Sequence, residues 1–252
     1  YEGAGTQNGK AALYIIDAQT GALVKRLEVQ GADGIKNGLS TPRLADYNND
    51  GIADYAYAGD LQGNLWRFDL LGAGASPTRA GNIYGADKST GLDGFKVSYG
   101  GTPMFSATST TGSTRQPITA PPSLIRHPSK RGYLVIFGTG KYFESGDKDG
   151  VKTHAQSLYG IWDTETKAEA TTAISINRSD LEAQQIESTV TSSVNGVGSR
   201  NARTITNNPV GWFNENGTIR TRGWYVDLRV GTSAFDGEML IEDMAALSQT
   251  IF

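Results

Sequence analysis

The sequence predicts an all-β protein with the architecture of a β-propeller. Short apolar and aromatic segments recur along the chain, each bounded by Gly, Asp or Pro, and some of them form an internal repeat. The 252 residues include 32 glycines, against roughly 18 at average usage, so the chain turns often. We expect about four blade-like units of a quinoprotein-like propeller that is incomplete in this sequence.

Six segments have the composition and the apolar alternation of β-strands. They are Ala11–Asp17, Tyr55–Ala58, Asn64–Leu70, Tyr133–Phe137, Ser157–Asp163 and Gly223–Leu228. Within them, alternate apolar positions such as Tyr55, Tyr57, Trp66 and Phe68 predict half-buried strands with one face on the core.

The internal repeat relates two stretches of the chain. STPRLAD at 40–46 resembles APPSLIR at 120–126, and each precedes an aromatic strand that ends in glycine, at Gly59 and at Gly138. A strand that ends in aspartate then follows in both units, and similar strands mark two further units. These four strands are LWRFD at 65–69, LYGIWD at 158–163, LYIID at 13–17 and WYVDL at 224–228. Repeated units of short strands are typical of propeller blades.

Less regular segments separate the units. Residues 72–98 are rich in glycine and are predicted to be an extended connection, and residues 141–156 form an insertion in the second unit. Ser179–Glu182 matches a capping box and predicts one helical turn. The next two alternating segments, Gln185–Ser192 and Arg200–Asn207, predict a hairpin that turns at Asn195-Gly196.

Composition limits the possible partners. A net charge of −3 gives no indication of nucleic-acid binding, and the hydrophobic fraction of 38% is sufficient for a packed core. No apolar run is long enough to span a membrane. Cysteine is absent, which excludes disulfides and thiolate metal sites. Because the chain starts at Tyr1 within a loop-like segment, we expect 1–252 to be a single propeller domain fragment whose preceding blades and N-terminal region are missing.

The segment DYNNDGIAD at 46–54 predicts a calcium-binding loop between two strands. Calcium takes six to eight oxygen ligands at about 2.3–2.6 Å, and alternate oxygen-bearing residues meet at one point if the backbone curls tightly. Gly51, the sixth residue, permits that curl. The predicted ligands are Asp46, Asn48, Asp50, the carbonyl of Ile52, and Asp54, which binds directly or through water.

Two details refine this prediction. Tyr57 occupies the twelfth position, where a helical EF-hand has glutamate, and the residues that follow the loop read as a strand. The side chain of Ile52 is expected to point to the core. The alternative is a metal-free Asn/Asp/Gly turn, although three clustered carboxylates would then repel one another. Magnesium is less favoured than calcium, since it prefers fewer protein ligands and a stricter octahedron.

No catalytic constellation stands out, so we predict a non-enzymatic protein. His127 and His154 lie in loops, and neither a GxSxG elbow nor an HExxH motif is present. Residues 147–150 lack the acid that would complete a second calcium loop, and 138–141 lack the spacing of a phosphate loop. The four tryptophans, three of which lie in repeated strands, are interpreted as core residues and not as a carbohydrate platform. They are Trp66, Trp162, Trp212 and Trp224.

From about residue 9 to 228, the chain resembles the C-terminal propeller of the PilY-type type IV pilus biogenesis proteins, also called tip adhesins. The resemblance is carried in order by NGKAALYIIDAQTG, STPRLADYNNDGIADYAYAGDLQGNLWRFDL, RQPITAPPSL, VIFGTGKYFESGD and AQSLYGIWD. It implies that Asp46, Asn48, Asp50, Ile52 and Asp54 bind calcium. The tail, 241–252, resembles the closing strands of the family only loosely.

The same resemblance implies a location and a role. It places the protein in a Gram-negative bacterium, outside the cell at the pilus tip or associated with the outer membrane. Its implied partners are minor pilins and, for the longer protein, a host-cell or abiotic surface. It implies support of pilus extension, adhesion and twitching motility, with calcium as the switch.

Two alternatives stay open at the level of sequence. DAQTGALV at 17–24 resembles a turn of quinoprotein dehydrogenases, which would make the chain an oxidoreductase with a cofactor in the central channel. The loop spacing also matches integrin-like adhesion modules, although these carry several tandem calcium loops and this chain has one.

Overall fold

The computed structural model describes residues 9–71, 94–109, 114–164, 170–194, 198–231, 234–248 and 250–252. Its strands form four sheets in chain order. The first sheet is the antiparallel pair β1 (Lys10–Ile16) and β2 (Leu23–Gln30). The second consists of β3 (Arg43–Ala45), β4 (Tyr55–Gly59), β5 (Asn64–Asp69) and β6 (Lys96–Val97), with β7 (Phe105–Ser106) also paired to β5.

The third sheet has six strands and the fourth has two. The third contains β8 (Ser123–Arg126), β9 (Tyr133–Gly138), β10 (Ser157–Asp163), β11 (Leu181–Val194), β12 (Gly198–Ile205) and β13 (Gly223–Val230), in the order β12-β11-β13-β10-β9-β8. The fourth contains β14 (Ala246–Leu247) and β15 (Thr250–Ile251). Helical turns lie at Ser98–Gly101, Ser145–Asp149 and Arg178–Asp180. This all-β arrangement of four sheets confirms the predicted fold class.

The sheets pack face to face, and a hydrophobic core fills each of the three spaces between them. Leu27 and Val29 of the first sheet pack against Trp66 and Phe68 of the second. The second and third sheets share a larger core that includes Tyr55, Tyr57, Phe105, Phe137 and Tyr159. The third core holds Leu134, Ile136 and Trp162, with Met244 and Ile251 from the C-terminal segment.

The alternating side chains of β4 and β5 point into two different hydrophobic cores, and neither face of these strands is exposed to solvent. Both strands are buried at every position. Tyr55 and Tyr57 face the third sheet, whereas Ala56 and Ala58 face the first. The prediction that these strands are half-buried was therefore wrong, because sheets that stack as blades cover both faces of a central strand.

The strand Gly223–Val230 is not the counterpart of LYIID and LWRFD in a further unit. It pairs antiparallel with β10, as in Gly160↔Trp224, and so belongs to the second repeated unit. The prediction failed because an aromatic strand ending near aspartate has the same pattern whichever sheet it joins. The indole ring of Trp224, in this strand, packs directly against Gly160. A Cβ at Gly160 would lie 2.6 Å from that ring.

The predicted capping box is also shifted. The helical turn Arg178–Asp180 is capped by Asn177 and Asp180, and Leu181 already begins β11. The predicted hairpin is confirmed, since β11 and β12 are antiparallel. The first of these strands, with 14 residues, is longer than expected, and the turn at 195–197 lies outside the described residues. Most of the connection at 72–98 also lies outside them, but its end forms the short strand β6, which pairs with β5.

A buried charge network joins the second and third sheets. Arg67 is fully buried and contacts two carboxylates, Asp69 at 2.8 Å and Asp163 at 3.0 Å. These two aspartates end the equivalent strands β5 and β10 of the repeat. The phenols of Tyr57 and Tyr99 donate to Asp163 at 2.7 and 2.6 Å. Burial raises the pKa of both phenols, so they remain protonated donors.

Candidate metal centre

The segment predicted to bind calcium connects β3 to β4, as expected. The two strands pair up to the loop, with Ala45 opposite Tyr55. Asp54 continues this ladder, because its N–H donates to the carbonyl of Ala45 at 2.8 Å and its own carbonyl accepts from Leu70 at 2.8 Å. The ninth loop residue is therefore fixed on the sheet and fully buried.

The loop curls around its own amide groups. The N–H of Gly51 donates to the Asp46 carboxylate at 2.7 Å, and the N–H of Asp50 donates to the side chains of Asp46 at 3.2 Å and Asn48 at 3.0 Å. The N–H of Ile52 in turn donates to Asp50 at 2.9 Å. These bonds keep the first, third and fifth side chains on the inner side of one turn.

Two residues hold left-handed backbone conformations that make the turn possible. Gly51 has φ of 88°, as its position predicts, and Asn49 has φ of 60°. Asparagine is one of the few residues other than glycine that tolerate this region. The contribution of Asn49 was not predicted from the spacing of the ligands, although its residue type was the available signal.

The side chain of Ile52 does not point to the core. It is 38% exposed, in contrast to the prediction. Among the described residues, it belongs to none of the three hydrophobic cores. The prediction that concerns the carbonyl of Ile52 is a separate one and is independent of the side chain.

The five predicted ligands lie in one loop, but their carboxylates do not form a closed cage. Among the residues described, no group of three or more His, Cys, Asp and Glu side chains is placed to hold a metal ion. The Asp54 carboxylate accepts from the N–H of Tyr47 at 2.6 Å, and Asn48 donates to Asp50 at 2.9 Å. Each carboxylate has about four acceptor positions, so these bonds leave further lone pairs for an ion.

The donor chemistry fits calcium. All five groups offer oxygen, which a hard cation prefers, and none offers sulfur or imidazole nitrogen. Asp46 and Asp50 would provide carboxylates from the exposed half of the loop, Asn48 and Ile52 would provide neutral oxygens, and Asp54 would provide the buried carboxylate. A bound ion would offset the mutual repulsion of the three carboxylates.

Two side chains from the third sheet contact the beginning of the loop. The Tyr133 hydroxyl donates to the carbonyl of Asp46 at 2.9 Å, and the Arg126 guanidinium donates to the carbonyl of Tyr47. Burial raises the pKa of Tyr133, which keeps its hydroxyl protonated. Spacing along the chain could not reveal these partners, because they are distant in sequence.

Among the described residues, the two histidines make their hydrogen bonds and ring contacts with residues outside this loop. His127 is buried, its ring stacks on Trp162 with 3.8 Å between centroids, and burial lowers its pKa to about 4. Burial also lowers the pKa of His154. In the inserted loop of the second unit, the Asp147 carboxylate binds Lys141 at 3.0 Å and accepts from the N–H groups of Phe143 and Glu144.

Comparison with known proteins identifies the family of this chain. The family described as the PilY1 beta-propeller domain matches residues 2–197. The chain belongs to the PilY1 β-propeller family. A crystal structure of the Pseudomonas aeruginosa PilY1 C-terminal domain superimposes with a TM-score of 0.89 at 48% identity, over 97% of this chain and 49% of that chain.

Curated PilY1 proteins show the same relationship. The type IV pilus biogenesis factor PilY1 of P. aeruginosa strain UCBPP-PA14 is 48% identical over 99% of this chain, and a PilY1 homolog of Xylella fastidiosa is 32% identical over 95%. The chain spans 22% and 15% of the length of these two relatives. No helix in the described part of the chain is long and apolar enough to cross a membrane.

Proposed function

We propose that this chain is a calcium-binding, non-enzymatic part of the propeller of a type IV pilus biogenesis protein. The observation that supports this most directly is the loop at 46–54, whose oxygen-bearing residues have the spacing of a calcium-binding loop. The relatives of the chain are named as type IV pilus biogenesis factors. The family match favours this function over the quinoprotein-like and integrin-like alternatives.

The proposed role follows from where the loop is attached. Without the ion, Asp46, Asp50 and Asp54 repel one another, and this repulsion weakens the last pairing of β3 with β4. Calcium would neutralise the loop and hold that end of the second sheet in one conformation. The surface so fixed would bind minor pilins outside the cell, at the pilus tip or the outer membrane. The longer protein would support pilus extension, twitching motility and adhesion to a host-cell or abiotic surface.

Calcium binding should stabilise the fold by mass action. At a hundredfold excess over the dissociation constant, the gain is about 2.7 kcal/mol. We expect calcium, and not magnesium at the same concentration, to raise the thermal midpoint of the wild-type chain relative to the chelated protein. The variants Asp50→Asn and Asp54→Asn should lose this shift, because each removes a carboxylate charge while keeping the shape of the side chain.

The matched control is Asp149→Asn in the inserted loop, which should keep the full calcium shift. Calorimetry of calcium binding gives the affinity directly. An unchanged shift in both loop variants would contradict the assignment of the site. The role in the pilus is tested separately by capture of minor pilins on the full-length protein with calcium or with a chelator. Equal capture under both conditions would leave calcium a structural role only.

A further inference from the structure

The calcium loop connects two strands of the second sheet, and its beginning also contacts the third sheet. Asp54, at its end, belongs to the ladder of the second sheet and is fully buried. Asp46, at its beginning, has its carbonyl bound by the hydroxyl of Tyr133 at 2.9 Å, and Tyr133 lies in β9 of the third sheet. The loop therefore crosses the boundary between two repeated units.

At this boundary, the guanidinium of Arg126 packs against the aromatic rings of Tyr47 and Tyr133. The guanidinium carbon of Arg126 lies 4.3 Å from the ring centre of Tyr47 and 4.7 Å from that of Tyr133. The two rings meet edge to face, with 5.8 Å between centres and an angle of 75°. Such cation–π and edge-to-face contacts are individually modest, and here they act on Tyr47, the loop residue whose carbonyl also accepts from Arg126.

The residues at this contact and at the tip of the loop differ in exposure. Tyr133 is 7% exposed and is held in the core between the sheets. Asp50, in contrast, lies at the exposed side of the loop. Both ends of the loop thus continue strands of the second sheet, and the first predicted ligand is also contacted by the third sheet. An ion that holds both ends of the loop therefore also acts on the contact between its beginning and the third sheet.

We infer that Tyr133 and Arg126 are positioning residues for the calcium loop, and that they couple ion binding to the packing of the second sheet on the third. This inference rests on the proposed calcium function. Coupling is reciprocal: if the contact of Tyr133 with Asp46 favours the ion-binding shape of the loop, the ion must strengthen that contact by the same factor. A site confined to one hairpin would show no such relation.

The first test is Tyr133→Phe, which keeps the ring in the core and removes only the hydroxyl. Loss of one such hydrogen bond predicts calcium binding that is weaker by about threefold to tenfold, measured by calorimetry. The control is Tyr159→Phe, in the adjacent strand β10. Tyr159 is also buried, and its hydroxyl lies 2.6 Å from Oε1 of Gln116 and 3.1 Å from the carbonyl oxygen of Thr108, two residues outside the loop. This control should lose stability and keep the calcium affinity of the wild type.

A second variant avoids the core entirely. Arg126 is exposed, so Arg126→Lys should fold normally while it loses the planar contact with both rings and the directed bond to Tyr47. Lysine keeps the positive charge near the loop, so a change in affinity cannot arise from charge. We expect this variant also to bind calcium less tightly than the wild type.

Reciprocity supplies a readout other than affinity. The destabilisation caused by Tyr133→Phe, measured by urea unfolding, should be larger with saturating calcium than with chelator. If the wild type binds calcium and both Tyr133→Phe and Arg126→Lys bind it equally well, the proposed coupling is contradicted, whereas the calcium site itself is not. If the wild type binds no calcium, the proposed function and this inference fail together.

Discussion

At the scale of single residues, His127 shows how burial determines the charge of a side chain. Its ring stacks on Trp162 with an angle of 6° between the planes, and Trp212 meets its edge at 4.3 Å. Nδ1 lies 2.7 Å from the hydroxyl of Ser129, and Nε2 is buried with no hydrogen-bond partner among the described residues. A proton added to this ring would place a charge where water does not reach, so burial lowers the pKa to about 4.

This lowered pKa predicts a pH dependence of stability. In the unfolded chain the histidine titrates near its ordinary pKa of about 6.5, so between about pH 6.5 and pH 4 the unfolded state binds the proton that the folded state excludes. The stability contributed by neutral His127 is complete above this window and is lost as pH falls through it. His127→Phe keeps the stacked ring and removes the titration, so its stability should fall less between pH 7 and pH 4.5 than that of the wild type. Urea unfolding at several pH values measures this difference, and parallel curves would contradict it.

At the scale of elements, the Arg67 network shows how two sheets recognise each other. The guanidinium lies 4.0 Å from the ring centre of Tyr55 and contacts the aspartates that end β5 and β10. Ser98 and the N–H of Ala170 complete the hydrogen bonds of Asp69 at 2.8 and 3.1 Å. A buried charge is tolerated only when such partners surround it. The network therefore requires both sheets to be in place.

Asp163→Asn should remove the carboxylate charge of the third sheet that balances the guanidinium charge of Arg67. Breaking a buried pair in this way costs about 3–5 kcal/mol, and we expect a loss of that size in the free energy of unfolding. The matched control is Glu238→Gln, which removes the exposed partner of Arg203 and should cost less than about 1 kcal/mol. Denaturant unfolding of both variants compares the two effects. Equal losses would show that the network does not hold the sheets together.

At the scale of the whole molecule, the repeat predicts how one unit follows the next. Gly59 and Gly138 end equivalent strands, and each is covered by an apolar residue from the segment that leads into the following sheet. A Cβ at Gly59 would lie 2.1 Å from Ile118, and one at Gly138 would lie 2.2 Å from Leu240. The backbone hydrogen bonds correspond as well. The N–H of Ile118 donates to the carbonyl of Asp60 at 2.9 Å, and the N–H of Leu240 donates to the carbonyl of Thr139 at 3.0 Å. The glycines therefore allow successive units to pack closely.

Gly138→Ala should destabilise the chain by about 1–3 kcal/mol, because the added methyl group forces Leu240 and the C-terminal segment away from the third sheet. Gly38→Ala is the control, since its nearest neighbour would be Leu61 at 3.7 Å, an ordinary contact. The control should be neutral or slightly stabilising, because alanine restricts the unfolded chain. Thermal unfolding of the two variants tests this, and equal midpoints would contradict the packing argument.

The sequence by itself determined six of the strands, the hairpin β11–β12, the repeat of β4 and β5 in β9 and β10, the family, and the position of the loop between β3 and β4. These features are local: apolar alternation, turn residues and ligand spacing depend on neighbours along the chain. Tertiary structure decided that β4 and β5 are buried on both faces, that Gly223–Val230 joins β10, and that Ile52 is exposed. It also decided that Tyr133 and Arg126 contact the loop. Partners so far apart in sequence leave no periodic signal, because they are selected by the packing of complete sheets.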